Sequence, residues 1–313
     1  MLFEAKQQQK LQSLNRGGQT DMKRKKKEYL ECAAFTVPSL FLVMLVFYIP
    51  FVMSLYYSLT EWNGISKSPK FIGLENFKKL FSGSSDFLQS LIFTGKYTIV
   101  FMILVNILAL AIAVALVQKI PAANVMRSMF FIPYIMSMTI VGFIWKFIFS
   151  QGFAALFEKT HLGFLNLSWL GDSHLAFYAV AFVGIWQALG FYIVLYIAGL
   201  QAVPTDVLEA AEVDGATSWK KFFKVTLPLL GPSITTCVFM SLTNAVKVFD
   251  IILALTKGGP GGSTYSVTLD IYREAFQNNN YGLGSAKALV FFVIILVITQ
   301  LVLKAMHSRE VDL

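Results

Sequence analysis

The chain has 313 residues, of which 56% are hydrophobic and only 14% charged, with a mean hydropathy of +0.63. So few charges would not keep a soluble domain in solution, and the composition selects a membrane protein. The formal net charge of +8 does not indicate a nucleic-acid partner, because it is concentrated in Lys23-Arg24-Lys25-Lys26-Lys27, directly before an apolar run that this cluster anchors at the cytoplasmic surface.

In chain order, residues 1–30 read as a disordered, basic cytoplasmic N-terminus with a Gln run and Gly17-Gly18, and residues 31–313 as one transmembrane domain. The uncharged run Ala33–Leu59 covers 27 residues, too long for the apolar part of a signal peptide and without a good cleavage site, so it is kept as the first span. Pro50 within it frees a backbone carbonyl that neighbouring helices must cover. Tyr97–Val117, with 21 residues, and Leu175–Val203, with 29, also reach the length of about 20 that a span needs. Three shorter runs, Ser128–Trp145, Pro232–Val246 and Ala288–Leu303, reach it once their flanks are included. The expectation is an all-α polytopic protein with six transmembrane helices.

The distribution of Lys and Arg orients these spans. With both termini inside, the cytoplasmic parts hold fifteen and the external loops seven. Trp62 and Trp145 then fall at the outer interface, where amphipathic rings settle.

Between the fourth and fifth spans, residues 201–231 carry more than a loop requires. Asp206, followed three residues later by Glu209, reads as a capping box just after Pro204. Val207, Leu208 and Ala211 give an apolar stripe at helical spacing, with Glu209 and Glu212 beside it. Gly215 supplies the positive φ that ends a helix. Thr217 or Ser218 caps a second short helix through Lys224, and Pro228 stops it. Two short amphipathic helices at an elbow form a docking element.

Polar groups at membrane depth are costly and mark a pathway. The fifth span is richest in them, with Ser241, Thr243, Asn244, Lys247 and Asp250. At helical spacing Asn244, Lys247 and Asp250 share a face, and the last two are placed to pair. Gln187 beside Trp186 in the fourth span is a weaker candidate, and Asn106 in the second reads as an interhelical hydrogen-bonding group. Gly258-Gly259-Pro260-Gly261-Gly262 lacks the terminal Gly-Lys-Ser/Thr of a phosphate-cradling loop and reads as a tight turn. Cys32 and Cys237 read as packing thiols, and His161, His174 and His307 have no partners at metal-ligand spacing. No nucleophile elbow, His-Glu-x-x-His or Walker sequence occurs, so the chain is not itself an enzyme.

Glu209-Ala210-Ala211, then Gly215, then Val225-Thr226-Leu227-Pro228 resembles the EAA loop of ABC importer permeases, with Val225 where the usual pattern has Ile. Gly73-Leu74-Glu75-Asn76-Phe77, Arg127-Ser128-Met129-Phe130-Phe131-Ile132-Pro133, Phe249-Asp250 and Tyr281-Gly282-Leu283-Gly284-Ser285-Ala286 resemble the sugar-importing, maltose-type branch, over most of the chain after about residue 35. Residues 60–92 are too few for the large external insert of the maltose-type first subunit, so the compact six-helix form is expected. The resemblance implies that Leu208, Glu209, Ala210, Ala211, Asp214 and Gly215 dock a cytoplasmic ATPase. It also implies that Gly258, Gly259 and Pro260 meet an external sugar-binding protein, and that the protein lies in a bacterial-type plasma membrane. The implied partners are a second permease and two ATPase subunits, which bind the ATP and Mg; this chain binds no cofactor. A secondary ion-coupled transporter would account for six helices and a Lys247–Asp250 pair but not for the elbow. An ABC permease for another small solute would share the elbow but not the sugar-type segments.

Overall fold

The computed structural model describes residues 27, 29–82, 86–118 and 121–307. The expected disordered N-terminus therefore lies largely outside the described residues, as does most of the basic cluster before the first span. The chain divides into two units, one up to Tyr56 and one from Tyr57 onward.

Helix α1, Tyr29–Ser58, makes up the described part of the first unit and continues into the second, and within the first unit its side chains are nearly all exposed. Pro50 follows a π-type turn over Met44–Tyr48, in which the Ile49 N–H reaches back to the Met44 carbonyl. That widened turn takes up the disturbance a proline brings to a helical ladder.

The second unit begins with a two-stranded antiparallel ribbon, β1 (Thr60–Glu61) with β2 (Lys70–Phe71), in the register Thr60 opposite Phe71. Helix α2, Glu75–Phe81, follows. Buried Asn76 donates to the carbonyls of Ser58 and Thr60, both at 2.9 Å, and so ties α2 to the ribbon. Helices α3 (Phe87–Val117) and α6 (Ser173–Ala202) form the centre of the unit. Phe93, Tyr97, Phe101, Val105, Ala109 and Ala113 recur every four residues along α3, all buried. On α6 the buried set is rich in small residues, including Ala176, Ala179, Gly184 and Ala188. Large side chains on one helix against small ones on the other let two membrane helices approach closely.

Between them α4 spans Ala123–Ile135 and α5 spans Met138–Thr160. The expected single span Ser128–Trp145 is thus two helices. The chain is extended at Met136, with ψ of 145°, and at Ser137, with ψ of 130°, just after Pro133. Pro133 itself lies inside α4 and the break comes after it, and α5 rather than α4 has spanning length. Gly190 lets α4 touch α6, because a Cβ there would lie 2.1 Å from the Phe130 carbonyl oxygen.

Helices α7 (Thr205–Val213) and α8 (Ser218–Leu229) form the elbow, and α9 (Gly231–Val246) leaves α8 at a bend of 68°. After a break come α10 (Asp250–Leu255), a glycine-rich turn, α11 over 267–277, and α12 (Tyr281–His307). Among the described residues, five helices have the length and apolarity to cross a membrane, or six if the bent pair α8–α9 counts as one span.

Two polar knots hold the helices together. Asn106 on α3 donates to Ser241 Oγ on α9 at 2.8 Å and accepts from the Tyr196 hydroxyl on α6 at 2.7 Å. Its expected interhelical role is what the structure contains. The second knot is Lys287 on α12, which is only 1% exposed and lies 2.8 Å from both Asp270 and Glu274 of α11. Asn280 donates to the other oxygen of Glu274 at 3.2 Å.

Two predictions follow from the packing and capping. Removing Lys287 leaves two carboxylates in a buried site without their cation, so Lys287→Ala should destabilise the detergent-solubilised protein by about 3–5 kcal/mol. Combining Lys287→Met with Asp270→Asn and Glu274→Gln should recover part of that loss, read as the melting temperature. Asp172 caps α6 by accepting the His174 and Leu175 N–H groups at 2.8 and 2.9 Å, which holds its carboxyl below the usual carboxylate range. Its contribution is present above the unfolded carboxyl value and lost as the pH falls through the lower folded one. Asp172→Ala should therefore lower the melting temperature at neutral pH, with a deficit that shrinks in acid.

Candidate functional site

The elbow is built as two helices, with a start and end that differ from expectation. Helix α7 begins at Thr205, one residue before Asp206, with Pro204 at its cap position and no side-chain cap, so the Asp206–Glu209 capping box does not form. The extended backbone of Pro204, with ψ of 131°, already turns the chain into the helix two residues ahead of the expected start. At the other end Gly215 has φ of +77°. The Gly215 N–H bonds the Glu212 carbonyl at 3.0 Å, and the Ala216 N–H bonds the Ala211 carbonyl at 2.9 Å. That pair of bonds is the Schellman closure of a helix. The Thr217 hydroxyl accepts from the Lys220 N–H at 3.5 Å as the cap of α8. Pro228 does not stop α8, which runs through a π-type turn over Phe222–Thr226 to Leu229. The wide turn shifts the ladder ahead of Pro228, and the helix breaks at Leu230 instead.

The faces of α7 divide differently from the apolar stripe read in the sequence. Leu208 and Ala211 are half-buried, and the Glu212 carboxylate pairs with Lys221 of α8. Glu209, Ala210, Val213 and Asp214 are exposed, and so is Gly215, around which a Cβ would have open space. The outward face is thus carried by Glu209, Ala210 and Val213, while Leu208 and Ala211 are partly covered.

The polar candidates of the spans converge on one cavity of about 290 Å³. Asn244, Lys247 and Asp250 line it from the end of α9 and the start of α10, and Gln187 lines it from α6. Tyr97, Phe101, Tyr134 and Tyr192 supply aromatic walls. The Asn244 amide donates to the Tyr192 hydroxyl at 3.2 Å, and the Gln187 amide donates to the Tyr134 carbonyl at 3.1 Å. Trp186 is not in the lining; it packs against Trp145 in a T-shaped contact at 5.4 Å.

The expected Lys247–Asp250 pair is absent from the ion pairs among the described residues. Helix α9 ends at Val246, Phe249 has φ of −142° and ψ of −62°, and a new helix starts at Asp250. Three-residue spacing fixes a common face only inside a continuous helix, so the break separates the two charges while leaving both exposed to the cavity.

Gly258, Gly259 and Pro260 form the tight turn that their composition suggests, with φ of +102° at Gly258 and +73° at Gly259. The turn is pinned by Arg273, which donates to the Lys257 carbonyl at 2.7 Å, and by the Thr256 and Thr264 hydroxyls at 2.8 Å. Cys32 and Cys237 are free thiols, and no group of three His, Cys, Asp or Glu residues among the described ones is arranged for a metal ion.

The sequence reading missed Lys287 with Asp270 and Glu274. Its signal was present: a lysine inside an apolar run, and two carboxylates four residues apart on one helix face. It also missed the tyrosines of the cavity, which in sequence are indistinguishable from packing aromatics.

Residues 107–309 match the family described as binding-protein-dependent transport system inner membrane component. The chain is 40% identical over 279 residues to the probable starch degradation products transport system permease protein AmyD of Thermoanaerobacterium thermosulfurigenes, covering 89% of this chain and 94% of that one. It is 36% identical to the multiple sugar-binding transport system permease protein MsmF of Streptococcus mutans, over 88% of this chain and 95% of that one. The fold is that of a chain in a bacterial ABC transporter involved in the import of the acidic polysaccharide alginate, with a TM-score of 0.78, 19% identity, and coverage of 90% of this chain and 96% of that one. These matches show the family: the chain belongs to the binding-protein-dependent transport system inner membrane components.

Proposed function

We propose that this chain is the permease subunit of an ATP-driven importer of a carbohydrate, an oligosaccharide rather than a single sugar, and that it forms half of the translocation pathway. The cavity is the observation that carries this reading. Aromatic walls suit the apolar faces of sugar rings, and amide and charged groups suit their hydroxyls. Asn244, Gln187, Lys247 and Asp250 with Tyr97, Phe101, Tyr134 and Tyr192 supply both kinds of group. The names of the relatives support a sugar as cargo. The partners are a second permease completing the pathway, two cytoplasmic ATPases that hold the ATP and Mg, and an external binding protein meeting the turn at Gly258, Gly259 and Pro260. Both termini lie in the cytoplasm, and the protein sits in a bacterial-type plasma membrane. ATP-driven closure of the ATPases moves the spans through the elbow.

The reading is tested in liposomes holding the complete transporter, supplied with its binding protein and a panel of oligosaccharides. ATP-dependent uptake is expected, and Asn244→Leu should cut it about tenfold, the worth of roughly one good hydrogen bond, while basal ATPase activity stays. Uptake that needs an ion gradient and not ATP, or that is unchanged in Asn244→Leu for every sugar tried, would remove this cavity from the pathway.

The elbow gives an independent test. Because nothing crowds a Cβ at Gly215, the cost of Gly215→Val is the left-handed backbone itself, about 1–2 kcal/mol. That strain should loosen the end of α7 and uncouple transport from ATP hydrolysis without preventing membrane insertion, and Glu209→Lys should weaken ATPase association. A cysteine at exposed Ala210 should crosslink to the ATPase. Normal coupling in Gly215→Val, with no crosslink from any position in 206–216, would leave the elbow without a coupling role and its cytoplasmic placement without support.

A further inference from the structure

Helix α8 has a face that neither the cavity nor the α7 surface uses. Trp219 and Phe223 are 74% and 51% exposed, and their rings stack at 5.2 Å with an interplanar angle of 2°. Lys220 and Lys224, also four residues apart, lie exposed beside them. The rest of the helix is committed: Phe222, Val225 and Thr226 are half-buried, and Lys221 is held by Glu212 of α7. Two aromatic rings and two ammonium groups therefore form one outward strip, next to a surface already packed on the protein.

The strip has a fixed relation to a membrane segment. Helix α8 runs into α9 with only Leu230 between them, at 68°. Spanning helices tilt by about 20° from the membrane normal on average, so a segment bent by 68° from one can lie close to the membrane plane. A helix lying in that plane, with aromatic rings and lysines on its free side, has the composition of an interfacial anchor. The rings sit at the headgroup level, and the lysine stems reach along the apolar boundary to place their charges among phosphates.

We infer that Trp219, Phe223, Lys220 and Lys224 form a lipid-docking strip that binds the anionic headgroups of the leaflet next to the elbow. Acidic phospholipid is the occupant because the strip joins two exposed cations to an apolar pair at the foot of a membrane segment. Each lysine beside an anionic leaflet contributes about a fivefold preference, so the pair favours acidic over zwitterionic lipid by more than tenfold. Held this way, α8 fixes the plane in which α7 is presented.

The test uses the complete transporter in nanodiscs of phosphatidylcholine, with or without phosphatidylglycerol, one lipid at a time brominated near the headgroup. The signal of Trp219 is the difference between the wild type and Trp219→Phe. Brominated phosphatidylglycerol should quench that signal at more than tenfold lower mole fraction than brominated phosphatidylcholine, and Lys220→Gln with Lys224→Gln should abolish the preference. Absence of quenching, or a preference unchanged in the double variant, overturns the proposal. So does loss of the ATPase subunits from the solubilised complex of Trp219→Ala, because the strip would then be a protein-docking face.

Discussion

Hydrocarbon offers an amide no water, so a polar group at membrane depth must find its partners inside the protein. Asn106 is where this chain meets that constraint most completely. Its amide and carbonyl oxygen bind Ser241 of α9, Tyr196 of α6 and the backbone of its own helix at Met102. Pulling any of the three helices away would leave donors or acceptors unpaired in an apolar medium, and the four-residue aromatic and small-residue seam of α3 and α6 adds close packing to the same assembly. The cavity depends on this block: Tyr192 stands one turn before Tyr196 on α6, and Asn244 one turn after Ser241 on α9.

The sequence made much of this visible because the bilayer limits what a chain can do. Apolar run length identified the long helices, and a glycine at the right distance from a short amphipathic run identified the end of α7. The errors came where continuity was assumed. Ser128–Trp145 carries no charge, yet the extended residues Met136 and Ser137 divide it, and hydropathy does not register a backbone break. Lys247 and Asp250 were placed on one face by counting residues, but the count holds only inside an unbroken helix. The Asp206–Glu209 capping box had the right residues, two positions late for a helix that starts at Thr205.

Some of the site was not readable from one dimension at all. Tyr97, Phe101, Tyr134 and Tyr192 come from three separate helices, and only their meeting distinguishes a wall of the cavity from ordinary packing. The role of Asn76 illustrates the same point. In sequence it belongs to a short segment resembling those of sugar importers, and in the fold it is a buried amide that clamps two carbonyls of the preceding strand region. Lys287 could have been suspected as an isolated charge in an apolar run, but its two partners lie on a separate short helix.

Among the places where the helical ladder stops inside the second unit are Met136–Ser137, Leu230 and Lys247–Phe249. A continuous helix resists bending because each turn is tied to the next, while a break has only its dihedral angles to change. Such joints deform more easily than a continuous helix, while the Asn106 bonds tie three helices together. One joint carries the cavity charges, another joins the elbow to its span, and the third divides α4 from α5. A small rotation at Lys247–Phe249 would re-aim Asp250 relative to Asn244 and carry the buried Ile251, Ile252 and Leu255 of α10 with it, so the polarity of the cavity and the packing beside it change together.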